Sequence, residues 1–216
     1  MMKVFSNTGS VSLPSPAISN LIRSVPLKLI KSFGKPIAAP SANTSSSLSP
    51  TEANHVYEYF KNDKNLSIIL DGGSTQIGLE STIINLDSDK IEILRHGGVS
   101  AEELKEKFPQ KVINIEQKAN EIIIAPGMLS KHYSPAVPLR INAKKAEKNE
   151  LLIGFGPNYN APNLSFEGSL VEAASNLFSF LAKYQKKYSK IAIAPIPNKG
   201  IGRAINDRIK RATSKN

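Results

Sequence analysis

At residues 35–43 the chain reads Lys-Pro-Ile-Ala-Ala-Pro-Ser-Ala-Asn, an apolar, strand-like run that breaks at a proline and ends in small polar residues. A Ser/Thr-rich loop follows. The next tetrad, Ser49-Pro50-Thr51-Glu52, has the pattern of a helix start in which Ser49 is the cap and Glu52 completes a capping box. A strand, a small-residue loop and a helix N-terminus together are typical of an anion-binding site, because free backbone N–H groups and the positive end of the helix point at the ligand. An ordinary strand-to-helix turn has the same pattern.

The composition indicates a soluble globular protein. The 216 residues are 40% apolar and 21% charged, which allows one large domain or two small ones. No apolar run approaches the about 18 residues of a membrane-spanning helix, so no membrane association is expected. The chain has no cysteine, which excludes disulfides and Cys-based zinc sites and favours a cytoplasmic location.

The formal net charge of +10 makes polyanionic partners such as RNA or nucleotides more plausible. A lysine-rich solvated surface explains the same charge equally well.

The first part of the chain predicts a mixture of helices and strands. The helices are expected at 17–33 with a break near Pro26, at 50–60 and at 100–108, and the strands at 66–70, 81–86 and 91–94. Leu27, Ile30 and Phe33 share one face of the first helix, and Gly34 is expected to end it. The Asp-Ser-Asp sequence at 87–89 predicts that the last two strands form a hairpin. Ser100 and Glu103 form a second capping box.

The second part alternates strands and helices, which predicts an α/β domain with a parallel sheet. Strands are expected at 122–124, 151–155 and 191–196, and helices at 169–184 and 201–213. The continuous apolar run at 191–196 is typical of a strand buried on both faces. On the last helix we place four basic side chains on the outer face: Arg203, Arg208, Lys210 and Arg211.

The candidate chemistry is that of a binding site. Three histidines (His55, His96 and His132) without cysteines give no metal-ligand cluster, and each is more often structural than catalytic. No catalytic nucleophile or acid–base pair is apparent. The polar side chains at element ends are those of Ser41, Asn43, Ser49, Ser81 and Arg95. Arginine is suited to phosphate or carboxylate, so these residues would act by positioning and charge neutralisation.

Several motifs occur in a fixed order: residues 35–43, Ser-Pro-Thr at 49–51, Leu-Asp-Gly-Gly at 70–73, Glu-Ser-Thr at 80–82 and Ile-Leu-Arg at 93–95. The series resembles the second half of the YrdC-like domain of the threonylcarbamoyl-AMP synthase family. Residues 125–135, with Ala-Pro-Gly-Met and His-Tyr-Ser-Pro, are similar to the interdomain linker of the family's two-domain version. Residues 200–212 resemble the end of its C-terminal domain.

The resemblance implies the fold and the reaction. The fold would be α/β, with the C-terminal part of a YrdC-like twisted sheet domain at 1–108, a linker at 109–138 and a small Rossmann-like α/β/α domain at 139–216. Residues 1–25 match the family poorly. The reaction would be that of the family's enzyme, a nucleotidyltransferase that makes L-threonylcarbamoyladenylate from threonine, bicarbonate and ATP for tRNA threonylcarbamoyladenosine synthesis, with Mg²⁺ accompanying the nucleotide.

The resemblance also implies residue roles. Ser41, Ser49, Arg95 and Tyr133 would contact ATP, Ala39 and Ser81 would hold threonine, and Asn43 belongs to the same motif without an assigned contact. No residue is assigned a catalytic or metal-binding role.

Two departures from the family pattern shape the expected activity. The family's upstream Lys-x-Arg-type motif, which grips ATP, has no counterpart, and Ser45-Ser46 stands where the family has Ser-Gly. We therefore expect an N-terminally truncated member with little synthase activity by itself. The alternatives are a chain completed by a separately encoded N-terminal half, a non-catalytic module that binds tRNA or double-stranded RNA, and an inactive gene remnant.

Overall fold

The computed structural model of the protein describes six stretches of the chain: residues 10–13, 20–35, 41–45, 47–86, 89–114 and 133–213. Within them the strands are β1 (Ser10–Leu13), β2 (Thr82–Leu86), β3 (Lys90–Arg95), β4 (Val112–Asn114), β5 (Leu139–Arg140), β6 (Leu151–Ile153) and β7 (Ile191–Ile193). The helices are α1 (Asn20–Phe33), α2 (Ala53–Phe60), α3 (Ala101–Lys107), α4 (Leu170–Tyr184) and α5 (Gly202–Thr213). Of these helices, none combines the length and apolar character needed to cross a bilayer.

The first sheet has the order β1-β2-β3-β4, and the predicted hairpin is its centre. β2 pairs antiparallel with both β1 and β3, and β4 lies parallel to β3. Ile84, Ile91 and Ile93 bury one face of the hairpin against α3, whose Leu104 is also buried. The predicted capping box at the start of α3 is confirmed, because Ser100 and Glu103 each accept the other's backbone N–H.

The second sheet confirms the predicted parallel arrangement. Its order is β5-β7-β6, and β7 pairs in parallel with both neighbours. All three residues of β7 are fully buried, as expected for a strand covered on both faces. Ser169 caps α4 by accepting the backbone N–H of Glu172, which places the helix start where the sequence predicts it.

The larger hydrophobic core belongs to this second sheet, yet residues from far upstream enter it. Leu48, Leu79 and Tyr133 pack in the same cluster as α4, α5 and β7. The upstream segment approaches α4 closely at Gly78, where an added Cβ would lie 2.8 Å from the carbonyl oxygen of Ala174. Only a residue without a side chain permits this contact with the backbone of α4, which ties residues 75–80 to the C-terminal part of the chain.

Two predicted features of the first part of the chain are wrong. Residues 66–70 form no strand, and Leu66, Ile68 and Leu70 are exposed, with Ile68 at 73%. The run has the apolar composition of a short buried strand, but no neighbouring described strand pairs with it, so its backbone gains no sheet hydrogen bonds. The break predicted at Pro26 is also absent, since α1 continues through it to Phe33.

One face of α1 is largely exposed. Leu27 and Phe33, which the sequence places on one face of the helix, are both about half exposed. Gly34 does end the helix as predicted, with φ of 66° and its N–H bonded to the carbonyl of Ile30. The predicted strand at 122–124 lies outside the described residues.

Candidate functional site

The segment of residues 80–82, at the start of β2, is where three parts of the chain meet. Gly97, which follows β3, lies directly against it. A Cβ on Gly97 would come within 2.3 Å of the backbone of Glu80, Ser81 and Thr82. The glycine therefore allows the chain after β3 to contact this segment closely. The Thr82 hydroxyl donates a hydrogen bond to the carbonyl of Val99, which fixes Thr82 in place.

Arg95 and Ser81, both predicted from the sequence, are in contact. The Arg95 side chain is 5% exposed, and its Nε and Nη2 both donate to the Ser81 carbonyl, at 3.2 and 2.8 Å. Nη2 also lies 3.3 Å from the Ser81 hydroxyl. Burial, and then the charge of Arg208, lower the pKa of Arg95, but an arginine keeps its positive charge near neutral pH. The site thus holds a fixed, partly desolvated cation.

Ser49 joins the same segment but not in the predicted way. Its hydroxyl donates to Glu80 Oε1 at 2.6 Å. The predicted capping box with Glu52 is wrong, since α2 begins at Ala53 and Glu52, its N-cap residue, makes no side-chain cap bond. A charge-assisted bond to a carboxylate is stronger than a bond to a backbone amide, which explains why the hydroxyl turns to Glu80.

Glu80 is ionised by its surroundings. Burial alone would raise its pKa, but the Arg208 guanidinium and the Ser49 hydroxyl outweigh burial and hold the pKa at about 2. Its Oε2 accepts from Arg208 Nε at 2.7 Å. Both oxygens of the carboxylate are therefore engaged, one by Ser49 and one by the last helix.

Tyr133 completes the cluster. Its ring is 1% exposed, packs on Phe178 with ring centroids 5.6 Å apart, and lies 5.2 Å below the Arg208 guanidinium. Burial raises the pKa of Tyr133 to about 12 against the opposing charge of Arg208, so the phenol is neutral at physiological pH. The backbone of Tyr133 has a positive φ of 63°, which a nonglycine residue adopts only when its surroundings fix it.

The structure thus brings together Ser49, Ser81, Arg95 and Tyr133 around Glu80 and Arg208. Ser41 is exposed. The Asn43 amide donates to the carbonyl of Ser47 at 3.1 Å within its own loop, while its Oδ1 is buried without a hydrogen-bond partner in the described part of the chain. Ala39 lies outside the described residues, as does His132.

Two residues of the cluster do not emerge from the sequence. Glu80 stands out there only as the carboxylate before Ser81, and Arg208 is expected on the outer face of its helix. That placement of Arg208 is wrong, because its side chain is fully buried. The signal was present: Arg208 lies four residues after Ala204 and four before Ala212, both buried, so helical spacing puts it on the inner face.

Comparison with known proteins places the chain in a family. A family model described as "Threonylcarbamoyl-AMP synthase, C-terminal domain" matches residues 99–214, more than half of the chain. The chain belongs to the threonylcarbamoyl-AMP synthase family. A second model, described as "Telomere recombination" for the Sua5, YciO and YrdC group, matches residues 17–97. The second model covers Ser49, Glu80, Ser81 and Arg95, and the C-terminal-domain model covers Tyr133 and Arg208.

Individual relatives agree with this family. The chain is 32% identical to threonylcarbamoyl-AMP synthase of Pyrococcus abyssi, in a match that covers 93% of this chain and 64% of the relative. For the Bacillus subtilis protein of the same name the identity is 32%, over 86% of this chain and 59% of the relative. The chain therefore spans about three fifths of the length of these relatives.

Solved structures support the fold. A crystal structure of P. abyssi Sua5 complexed with L-threonine matches with a TM-score of 0.73 and 32% identity, over 88% of this chain and 61% of that one. A variant of P. abyssi Sua5 in which a histidine and the following tyrosine are both alanine matches with a TM-score of 0.70 and 32% identity, over 88% and 60%. The expected α/β fold, part of a YrdC-like domain followed by the family's C-terminal domain, is confirmed.

Proposed function

We propose that the cluster around residues 80–82 forms part of a site for ATP and L-threonine, and that the chain serves the synthesis of L-threonylcarbamoyladenylate. The observation that carries this proposal is the convergence of Ser49, Ser81, Arg95 and Tyr133, which lie in separate parts of the sequence and meet through Glu80 and Arg208. The similar P. abyssi Sua5 structure is a complex with L-threonine, which supports threonine as one substrate.

The reaction defines what the site must do. Threonine and bicarbonate condense to a carbamate with loss of water, and a carboxylate-type oxygen of that product attacks the α-phosphorus of ATP. The bond between the α-phosphorus and the bridging oxygen breaks, and pyrophosphate leaves. Such a transfer needs positioning and neutralisation of phosphate charge, which the fixed Arg95 guanidinium can supply. Mg²⁺ enters with the nucleotide as MgATP, since this ion is commonly held through substrate phosphates.

The residue roles follow the same division. Ser41, Ser49, Arg95 and Tyr133 are proposed to contact ATP, Ala39 and Ser81 to contact threonine, and Asn43 to line the loop between them. The buried Oδ1 of Asn43 without a partner in the described residues supports a polar neighbour at that loop.

Binding by the purified chain tests the site. We expect Arg95→Gln to weaken ATP binding about tenfold to a hundredfold, because a hydrogen bond to a charged group contributes about 1.5–3 kcal/mol. Ser81→Ala should weaken threonine binding more than ATP binding. Calorimetric titration with MgATP and with threonine measures both. The matched control is Arg140→Gln, since Arg140 is an ion-paired arginine bound to Glu150 on the C-terminal domain. No binding of either substrate by the unaltered chain, or equal ATP affinity in Arg95→Gln, would contradict the proposal.

Turnover is a separate measurement. The relatives are longer than this chain, and we propose that full turnover needs the part they have in addition, whether it lies in the same polypeptide or in a separately encoded N-terminal half. Pyrophosphate release from ATP that requires both threonine and bicarbonate is the readout. Vigorous release by the 216 residues alone would show that the additional part is dispensable.

A second candidate role is binding of tRNA or double-stranded RNA in the cytoplasm. The net charge of +10 favours it. Affinity for tRNA that falls steeply with rising salt concentration supports this role, and absent or salt-insensitive binding removes it.

A further inference from the structure

Arg208 connects the last helix to the segment that holds the predicted site residues. Its side chain is completely buried. Nε donates to Glu80 Oε2 at 2.7 Å, Nη1 to Asp207 Oδ2 at 2.6 Å, and Nη2 to the carbonyl of His96 at 2.9 Å. A buried charge is tolerated only when it is paired with good geometry, and here each nitrogen of the guanidinium has a partner in a different direction.

Glu80 links Arg208 to Ser49, because its carboxylate accepts a hydrogen bond from each. The carboxylate accepts from Arg208 through one oxygen and from the Ser49 hydroxyl through the other, at 2.6 Å. With both oxygens engaged, the plane of the carboxylate is fixed. The position of Ser49 therefore depends on an arginine that lies far away in the sequence, on the other domain.

Tyr133 is restrained by the same side chain from a second direction. Its ring is held between Phe178 of α4 and the Arg208 guanidinium, with centroid distances of 5.6 and 5.2 Å. A guanidinium over an aromatic face is attractive, most of all where water is excluded. Ser49 and Tyr133, both proposed to contact ATP, thus share one support.

We propose that Arg208 is a positioning residue for the nucleotide end of the site, acting through Glu80 on Ser49 and through the ring contact on Tyr133. The inference rests on the proposed function for its choice of ligand, ATP. In this proposal the C-terminal domain orients residues of the site and is more than a separate domain joined to it. Lysine cannot replace Arg208 here, because a single ammonium group cannot reach Glu80, Asp207 and the His96 carbonyl in the fixed fork that arginine offers while it also covers Tyr133.

The same helix supplies a matched control. Arg203 of α5 bonds to Glu102 of α3 at 2.5 Å, so it also joins the last helix to the part of the chain that packs on the first sheet. This pair is more exposed, and none of its described contacts involves Ser49, Glu80 or Tyr133. Arg203→Gln therefore weakens the attachment between the two parts without touching the proposed support.

The experiment compares Arg208→Lys and Arg203→Gln with the unaltered chain in two measurements. One is the affinity for MgATP and for threonine. The other is backbone hydrogen exchange without substrate, read at residues 47–51 and 80–82 and at the buried strand β7. We expect Arg208→Lys to lose about tenfold or more in ATP affinity, to lose less in threonine affinity, and to exchange faster at 47–51 and 80–82 while β7 stays protected. Arg203→Gln should match the unaltered chain at the site.

Each outcome decides one question. If Arg208→Lys keeps the unaltered exchange rates at 47–51 and 80–82, or if Arg203→Gln shows the same changes, the positioning role is overturned. If the unaltered chain binds no ATP, the proposed function fails, while the exchange comparison still decides whether Arg208 holds the segment. Should Arg208→Lys not fold, Glu80→Gln tests the same link from its partly exposed end, with faster exchange at 47–51 expected and unchanged exchange contradicting the role.

Discussion

At the scale of single residues, Glu80 makes the free energy of unfolding depend on pH in the acidic range. Its pKa falls from an ordinary value of 4.5 to about 2 in the folded chain, because Arg208 and Ser49 outweigh the effect of burial. Between these values the unfolded chain binds more protons than the folded one, so stability is lost as the pH falls from about 4.5 to 2. The expected contribution of this one group, fully present above pH 4.5, is roughly 3 kcal/mol.

Glu80→Gln tests this prediction. The amide does not ionise, so the variant should be less stable at about pH 7 and should lose less of its remaining stability as the pH falls from about 4.5 to 2. Urea unfolding at a series of pH values measures the free energy of unfolding. Glu106→Gln, on the exposed surface of α3, is the control and should retain the slope of the unaltered protein. A Glu80→Gln protein with that same full slope would contradict the assignment.

The types of residue in the sequence identify some of the site residues, but the contacts between them cannot be predicted from the sequence. Ser49, Ser81 and Arg95 stand out because polar groups at element ends suit anionic ligands, and the structure joins Arg95 to Ser81. The partner of Ser49 could not be predicted, since a hydroxyl that can cap a helix can equally donate to a carboxylate 31 positions away. For Arg208 the positive charge suggests the outer face, whereas its spacing from buried alanines correctly indicates the inner one.

At the scale of elements, the spacing of apolar residues identifies most helices and strands. It does not show whether a strand pairs with another strand in a sheet. The hairpin of β2 and β3 is predictable because both strands and their turn are local in sequence. The run at 66–70 has the same apolar look as β7, yet β7 lies between two parallel strands and 66–70 pairs with none of the described ones. The local pattern cannot predict which strands pair when they are far apart in the sequence.

A pair of isoleucine substitutions measures this difference. Ile68 is 73% exposed, so Ile68→Ala should change the free energy of unfolding by no more than about 0.5 kcal/mol. Ile193 in β7 is completely buried, and Ile193→Ala should destabilise by about 2–5 kcal/mol because it leaves a cavity. Urea unfolding of both variants gives the two values. A loss of about 2 kcal/mol or more at Ile68 would instead support the buried strand that the sequence alone predicts.

At the scale of the whole molecule, the packing does not follow the order of the chain. The smaller core lies between the hairpin and α3. The larger core surrounds β7 and also takes in Leu48, Leu79 and Tyr133. The segments that carry Ser49 and Glu80 are thus anchored to the C-terminal core, while residues 80–82 also contact the end of β3.

This anchoring predicts two units of different stability. The amide of Thr75, bonded to the carbonyl of Thr51, should exchange together with the amide of Ala194, bonded to Ile153 in the second sheet. The amide of Phe108, at the end of α3, should exchange through local unfolding of the first sheet and α3. The free energy of this opening should be lower by at least about 1 kcal/mol, since fewer buried side chains stabilise that region. Native-state hydrogen exchange at rising, sub-denaturing urea separates the two classes.

Thr75 decides the outcome. If its opening free energy merges with that of Ala194 as urea rises, the nucleotide end of the proposed site belongs to the more stable unit, and Arg208 can hold Glu80 even while the α3 region opens. If Thr75 instead follows Phe108, the close approach of Gly78 to α4 does not bind the two parts together, and the support that Arg208 gives would be lost each time the first sheet opens.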